Sequence, residues 1–314
     1  MQEPEIIEPK LPQKTPLYLK ATILTAKTIG YLFIVFFFSV LVGGGLTELF
    51  PSLKSDLFED KIGDWRYNAI MSFGMSIAAL GISYLFRKYL DRLPTTTIGL
   101  SGFNPFLEIL KGASWAIVIQ TLVLIILLLV NAVGLATTNF DWTEQLGFLL
   151  FFLFVSIFEE VVFRGYLTSL LADSLHFIPA LIISSLLFGL VHVGNADFTW
   201  LGFSSIFLGG YLLGLLFLKY QNLYLPIGMH WLWNYYQGNI LGFDVSGIDT
   251  PSFLQQNLMG PDWLTGGEFG LEGSALTIGL LFLLSIYLTQ KWSSALLALP
   301  QFKDNDLLDR DAIA

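Results

Sequence analysis

Two adjacent acids and a base interrupt an apolar stretch of this chain, in the order Phe158-Glu159-Glu160-Val161-Val162-Phe163-Arg164. Apolar sequence runs up to them over 146–157 and away from them over 166–171. A charged side chain at the centre of a bilayer costs about 2.5–3.5 kcal/mol on insertion scales, so three within one span need a compensating role. Two later apolar segments each supply a histidine, His192 and His230. Carboxylates and imidazoles gathered inside a membrane can move protons to and from water. Competing chemistries lack their residues. The chain has no Cys, which removes thiolate nucleophiles, thiolate metal sites and disulfides. It contains no HExxH, G-x-S-x-G or P-loop pattern. Ser156, Ser184 and Ser185 lie in apolar segments without a local basic partner.

Three pairs at i, i+4 carry the reading: Glu160/Arg164, Phe188/His192 and His230/Asn234. Residues four apart share a helix face. Glu160 and Arg164 can therefore pair within their own segment, which lowers the cost of burying both. Glu159 points about 100° away from Glu160 and has no such partner, so it must face a cavity, a histidine or water. A helical hairpin turning between Asp173-Ser174 and Pro179 would bring Glu159 and His192 to similar depth. His230 lies about eight residues into its own segment and can reach the same layer at about 1.5 Å per residue.

The elements that would position these groups follow from composition. Of the 314 residues, 54% are hydrophobic and 13% charged, against about 25% charged in soluble domains. Mean hydropathy is +0.66. The expected fold class is all-α, a polytopic membrane helical bundle of about eight transmembrane helices. Runs near the required length of about 20 residues fall at 21–48, 68–87, 113–137, 146–172, 177–194, 199–218, 222–241 and 274–296. The fifth to seventh are short or interrupted by Gly, Pro and His, as tolerated where a helix lines a cavity. The expected organisation is a flexible cytoplasmic tail (1–20), N-terminal membrane helices (21–137), a helical core that bears the acids and histidines (146–241), a Gly-rich acidic extracytoplasmic loop (242–273), a last membrane helix (274–296) and a cytoplasmic tail (297–314). The polar start lacks the pattern of a cleaved signal peptide, so the first span is expected to be retained. Connectors are expected at 49–67, with Trp65 and Tyr67 interfacial, and at 88–112, broken by Pro94, Gly99, Gly102 and Pro105. No internal repeat is apparent.

Orientation follows from basic residues. With the N-terminus cytoplasmic, that side holds Lys10, Lys14, Lys20, Lys27, Arg87, Lys88, Arg92, Lys111, Arg164, Lys219, Lys291, Lys303 and Arg310. The other side holds only Lys54, Lys61 and Arg66. Both termini are expected in the cytoplasm. The net charge of −9 argues against nucleic acid as a partner, which requires basic patches. Other polar and aromatic groups read as structural. His176 falls in the proposed turn. Trp231, Trp233, Tyr235 and Tyr236 read as packing and interface anchors, and Gly209, Gly210 and Gly214 as permitting close helix packing. Asp244, Asp249, Asp262, Glu268 and Glu272 read as a solvated loop face.

Taken in order, Glu159-Glu160-x-x-x-Arg164, Phe188-x-x-x-His192 and His230-x-x-x-Asn234 resemble the three signature motifs of the CAAX prenyl protease and bacteriocin-processing (CPBP, or Abi) family of intramembrane proteases. The resemblance covers about 146–241, and every motif position is filled. It implies hydrolysis of peptide bonds in membrane-associated proteins or peptides, CAAX-like substrates among them. It also implies roles: Glu159 as general base on a water, His192 assisting, His230 and Asn234 stabilising the oxyanion, and Arg164 holding Glu160. Glu159, His192 and His230 could instead hold Zn²⁺ to activate the water; the residues leave this open and favour slightly a metal-independent glutamate mechanism. Two other readings stay open, a transporter or proton-coupled carrier using the Glu/His cluster as a relay and a non-catalytic membrane scaffold.

Overall fold

A computed structural model describes residues 16–53, 64–101, 104–139 and 141–299. The expectations for most of both tails, for much of the 49–67 connector, and for Lys10, Lys14, Lys54, Lys61, Lys303 and Arg310 lie outside these residues.

Eight helices of at least twelve residues form the bundle among the described residues. They are α1 (Leu17–Thr47), α2 (Trp65–Leu90), α3 (Pro105–Leu129), α4 (Trp142–Ala172), α5 (Phe177–Leu190), α6 (Trp200–Tyr220), α7 (Tyr224–Tyr235) and α8 (Ala275–Leu297). All but α5 and α7 are long and apolar enough to cross a membrane. The chain is a polytopic all-α integral membrane protein. The two short helices position the histidine motifs: α5 holds Phe188 and leads into the turn that bears His192, and α7 holds His230 and Asn234. Helix α7 continues as π-helix over Tyr236–Ile240. The sequence places the third span at 113–137, but the helix starts at Pro105 and stops at Leu129. Proline is well suited to a first helical turn, where its missing N–H has no role, and the Asn104 side chain caps the Leu107 N–H. Asn131, at φ 53°, turns the chain out of the helix. Residues Val133–Thr137 then form strand β1, antiparallel to β2 (Leu254–Leu258), with Val133 opposite Leu258 and Thr137 opposite Leu254. This two-stranded sheet ties the end of α3 to the loop that follows α7.

Two packing features set the site. Helix α4 and helix α5 form an antiparallel hairpin. Thr168 and Ser184 share a 2.8 Å hydrogen bond, the Phe163 and Phe188 rings meet at 5.2 Å, and Glu159 falls opposite His192. Helices α3 and α7 run side by side in parallel. A Cβ at Gly112 would overlap the Leu225 carbonyl oxygen, and one at Gly228 would overlap that of Ile109. These two glycines let the backbones touch, and the Gln120 side-chain amide donates to the Trp233 carbonyl oxygen at 2.9 Å. The main core gathers Tyr31, Phe163, Tyr166, Leu216 and Leu281 around the middle of α4. At one end Arg87 bonds Asp173 at 2.5 Å and Lys27 bonds Asp91 at 3.0 Å, linking α1, α2 and the foot of α4.

Candidate active site

Helix α4 changes its winding at the site. Ordinary α-helix ends at Glu160, and Val161–Thr168 winds as π-helix before α-helix resumes. Such π segments frequently occur at functional sites. All eight π residues are buried. Glu160 and Arg164 pair at 2.8 Å between Nη1 and Oε1, with both side chains almost fully shielded. The second guanidinium branch donates to the Gly210 carbonyl of α6 at 3.3 Å, and the group lies over the Phe188 ring at 4.2 Å. Arg164 thus ties α4 to α5 and α6 while its charge is matched.

Glu160 Oε1 also accepts from His230 Nδ1 at 2.8 Å. A carboxylate already paired with arginine can only accept, so Nδ1 carries a proton and Nε2 faces away from Glu160. His192 reaches the site from the turn that follows α5, since the helix ends at Leu190 rather than near 194. Its Nδ1 lies 2.8 Å from the Phe188 carbonyl oxygen. A carbonyl accepts only, which again puts the proton on Nδ1. Both Nε2 atoms therefore turn toward Glu159, whose Oε2 stands 3.6 Å from His230 and 4.0 Å from His192. That oxygen is shielded and has no hydrogen-bond partner among the described residues.

Glu159, His192 and His230 line one cavity of about 350 Å³, with Asn234 on its wall one turn beyond His230; the Glu160–Arg164 pair backs His230 without lining it. The structure brings together Glu159, Glu160, Arg164, His192, His230 and Asn234. Phe36 and Val191 line both this cavity and an apolar groove on the outer face of α1. His176 is exposed and caps α5 by accepting from the Ile178 N–H at 3.4 Å. Among the four aromatic residues, Trp231 donates to the Leu149 carbonyl at 2.8 Å, whereas Trp233 is a cavity wall. Gly210 and Gly214 sit in tight packing as expected, but Gly209 lines the cavity with nothing within 4 Å of its would-be Cβ.

Glu272 corrects the sequence reading. It is buried on the cavity wall rather than solvated, while Asp249, Asp262 and Glu268 are exposed. The loop folds back because Gly266, Gly267 and Gly270 take positive φ values of 98°, 58° and 86°. The closely spaced glycines before Glu272 were the available sequence signal for a turn tight enough to bury it.

Glu159, His192 and His230 are the candidate ligands for a zinc ion. Donors about 2.0–2.1 Å from a tetrahedral zinc lie about 3.4 Å from one another, closer than the 3.6 and 4.0 Å found. Among the described residues no group of three or more His, Cys, Asp or Glu is arranged to hold a metal ion. The residues as placed do not fit one, and the chemistry below is derived from side chains and water.

Residues 141–236 match the family model described as type II CAAX prenyl endopeptidase Rce1-like. The matched segment runs from the cap of α4 into the end of α7, includes all three motifs, and agrees with the CPBP resemblance. The match supports a CAAX-type intramembrane protease in general. Comparison with curated proteins and with solved structures returns no match.

Proposed function

We propose that this chain is an intramembrane endopeptidase that hydrolyses peptide bonds of membrane-associated proteins or peptides with a water activated by Glu159. The observation that carries this reading is the convergence of Glu159 Oε2 with two imidazole Nε2 atoms, at 3.6 and 4.0 Å, inside a mostly apolar cavity. Those separations exceed a direct hydrogen bond and suit a bridging water. Glu159 takes a proton from that water as it attacks the scissile carbonyl, and His192 Nε2, with its lone pair free, accepts from the same water or relays the proton to the leaving amine. Asn234 offers an amide donor to the oxyanion. His230 Nε2 adds a second donor when its ring carries both protons, with carboxylates on either side of that charge. Preorganised donors in a dry site are worth several kcal/mol, about 2.7–4 for one oxyanion donor. Glu160 and Arg164 do not meet the substrate; they fix the His230 ring and its tautomer.

That Phe36 and Val191 line both the cavity and the outer groove supports entry from the bilayer, with an apolar chain of the substrate lying in that groove. Both termini on the cytoplasmic side is the orientation the basic residues favour. The test is a comparison of membrane peptides from cells carrying the wild-type protein and cells carrying Glu159→Ala. Fragments that appear only with the wild type support the reading. Identical peptide profiles would remove it.

A further inference from the structure

Glu272 lies outside the matched segment, in a loop between α7 and α8, yet its side chain belongs to the cavity. It is 7% exposed. Its two carboxylate oxygens are divided between two walls. Oε1 accepts from the Trp233 indole N–H at 3.2 Å, and Oε2 accepts from the Ser246 hydroxyl at 2.5 Å. Trp233 stands on α7 between His230 and Asn234. The Ser246 carbonyl oxygen accepts from the Asn195 amide at 3.2 Å, and Asn195 follows His192 in the same turn. One carboxylate therefore bridges the segment bearing His230 and Asn234 to the segment bearing His192.

The backbone is built to hold it there. A Cβ at Gly270 would overlap the Asp244 carbonyl oxygen, and one at Gly266 would overlap that of Gly270. At φ 86° Gly270 adopts a conformation that side chains disfavour. No cation lies within ion-pair distance of Glu272 among the described residues; both oxygens are satisfied by neutral donors instead. Burial pushes its carboxyl up, against the opposing pull of the Ser246 hydroxyl and the His192 and His230 imidazoles.

We propose that Glu272 is a positioning residue for peptide-bond hydrolysis, holding the His230–Asn234 helix and the His192 turn in register through Trp233 and Ser246. This rests on the hydrolytic reading above. The residue acts through its hydrogen bonds, so glutamine, which can accept from Trp233 and pair with Ser246, replaces it. Displacing reacting groups by about 1 Å costs about 100-fold in rate.

The test measures kcat and KM of the purified full chain in proteoliposomes, on the fastest-cleaved peptide from the membrane-peptide comparison. Glu272→Ala is expected to lower kcat about 10- to 100-fold with KM within about threefold. Glu272→Gln is expected to stay within about threefold of wild type. In a Trp233→Phe background, which removes the N–H donor together with part of the ring, the Glu272→Ala effect should shrink, because the two share one interaction. Trp233→Phe also tests the link if Glu272→Ala does not fold, and should itself lower kcat. Wild-type kcat in the alanine or phenylalanine variant, a loss confined to KM, or a glutamine variant as impaired as alanine would overturn the proposal. If Glu159→Ala abolishes cleavage while Glu272→Ala leaves it intact, the positioning role alone falls. If the wild type cleaves nothing, the hydrolytic reading falls and takes this role with it.

Discussion

Replacing Arg164 by methionine should destabilise the protein far more than replacing both members of its ion pair. Arg164 and Glu160 are almost fully shielded and 2.8 Å apart. Removing one partner of a buried pair costs about 3–5 kcal/mol, because the other charge is left without compensation. Loss of the cation–π contact with Phe188, at 4.2 Å, adds up to about 2 kcal/mol. Glu160→Gln alone leaves the guanidinium stranded in the same way. In the double variant Glu160→Gln/Arg164→Met no unmatched charge remains, and the glutamine oxygen can still accept from His230 Nδ1. The singles should therefore sum to more than the double by about 2–3 kcal/mol, within the range seen for residues in one buried network. Reversible unfolding in mixed detergent micelles, followed by tryptophan fluorescence, measures this cycle. Additivity within about 0.5 kcal/mol would refute the claim that the two charges act as one buried unit.

Gly112→Val should abolish the folded protein, since its Cβ would overlap the Leu225 backbone. Gly30→Ala, with nothing within 4 Å, should be neutral; size-exclusion chromatography of the two purified variants reads both outcomes. Gly209→Leu should leave the unfolding midpoint near wild type while lowering kcat/KM at least about 10-fold, because the side chain grows into the cavity; unchanged kinetics would show that the substrate does not use that wall. Asp141 caps α4 by accepting from the Thr143 and Glu144 N–H groups, and these bonds hold its carboxyl below the usual carboxylate range. A depressed folded pKa stabilises above the unfolded value, about 3.9, and the stabilisation vanishes as pH falls through the folded value. The wild type should thus exceed Asp141→Ala in stability at neutral pH and lose that advantage in strong acid, while a constant difference would argue against the cap.

The sequence carried the bundle because membrane spans announce themselves by length and apolarity. It also carried the meeting of Glu159 with His192, because a hairpin turning near residues 173–176 fixes which residues face each other. The direct bond from His230 to Glu160 was not legible, since 70 residues separate them and two helices, α5 and α6, intervene in the chain. Nor was the π winding of 161–168, which no local composition marks. The third span was misplaced because apolar content continues past Asn131 into β1, while Pro105 opens the helix within what read as a broken connector. Glu272 was missed for a different reason. Its loop has neither helical nor strand periodicity, and its burial depends on glycine backbone geometry acting together with Trp233 and Ser246.

The most direct measurement is the rate of peptide-bond cleavage by purified Glu159→Gln protein in proteoliposomes, beside the wild type. Glutamine keeps the size of the side chain but cannot take a proton from water. The account predicts a fall of about 10²–10⁴-fold with the unfolding midpoint unchanged. Cleavage by the glutamine variant at a rate close to that of the wild type would contradict it.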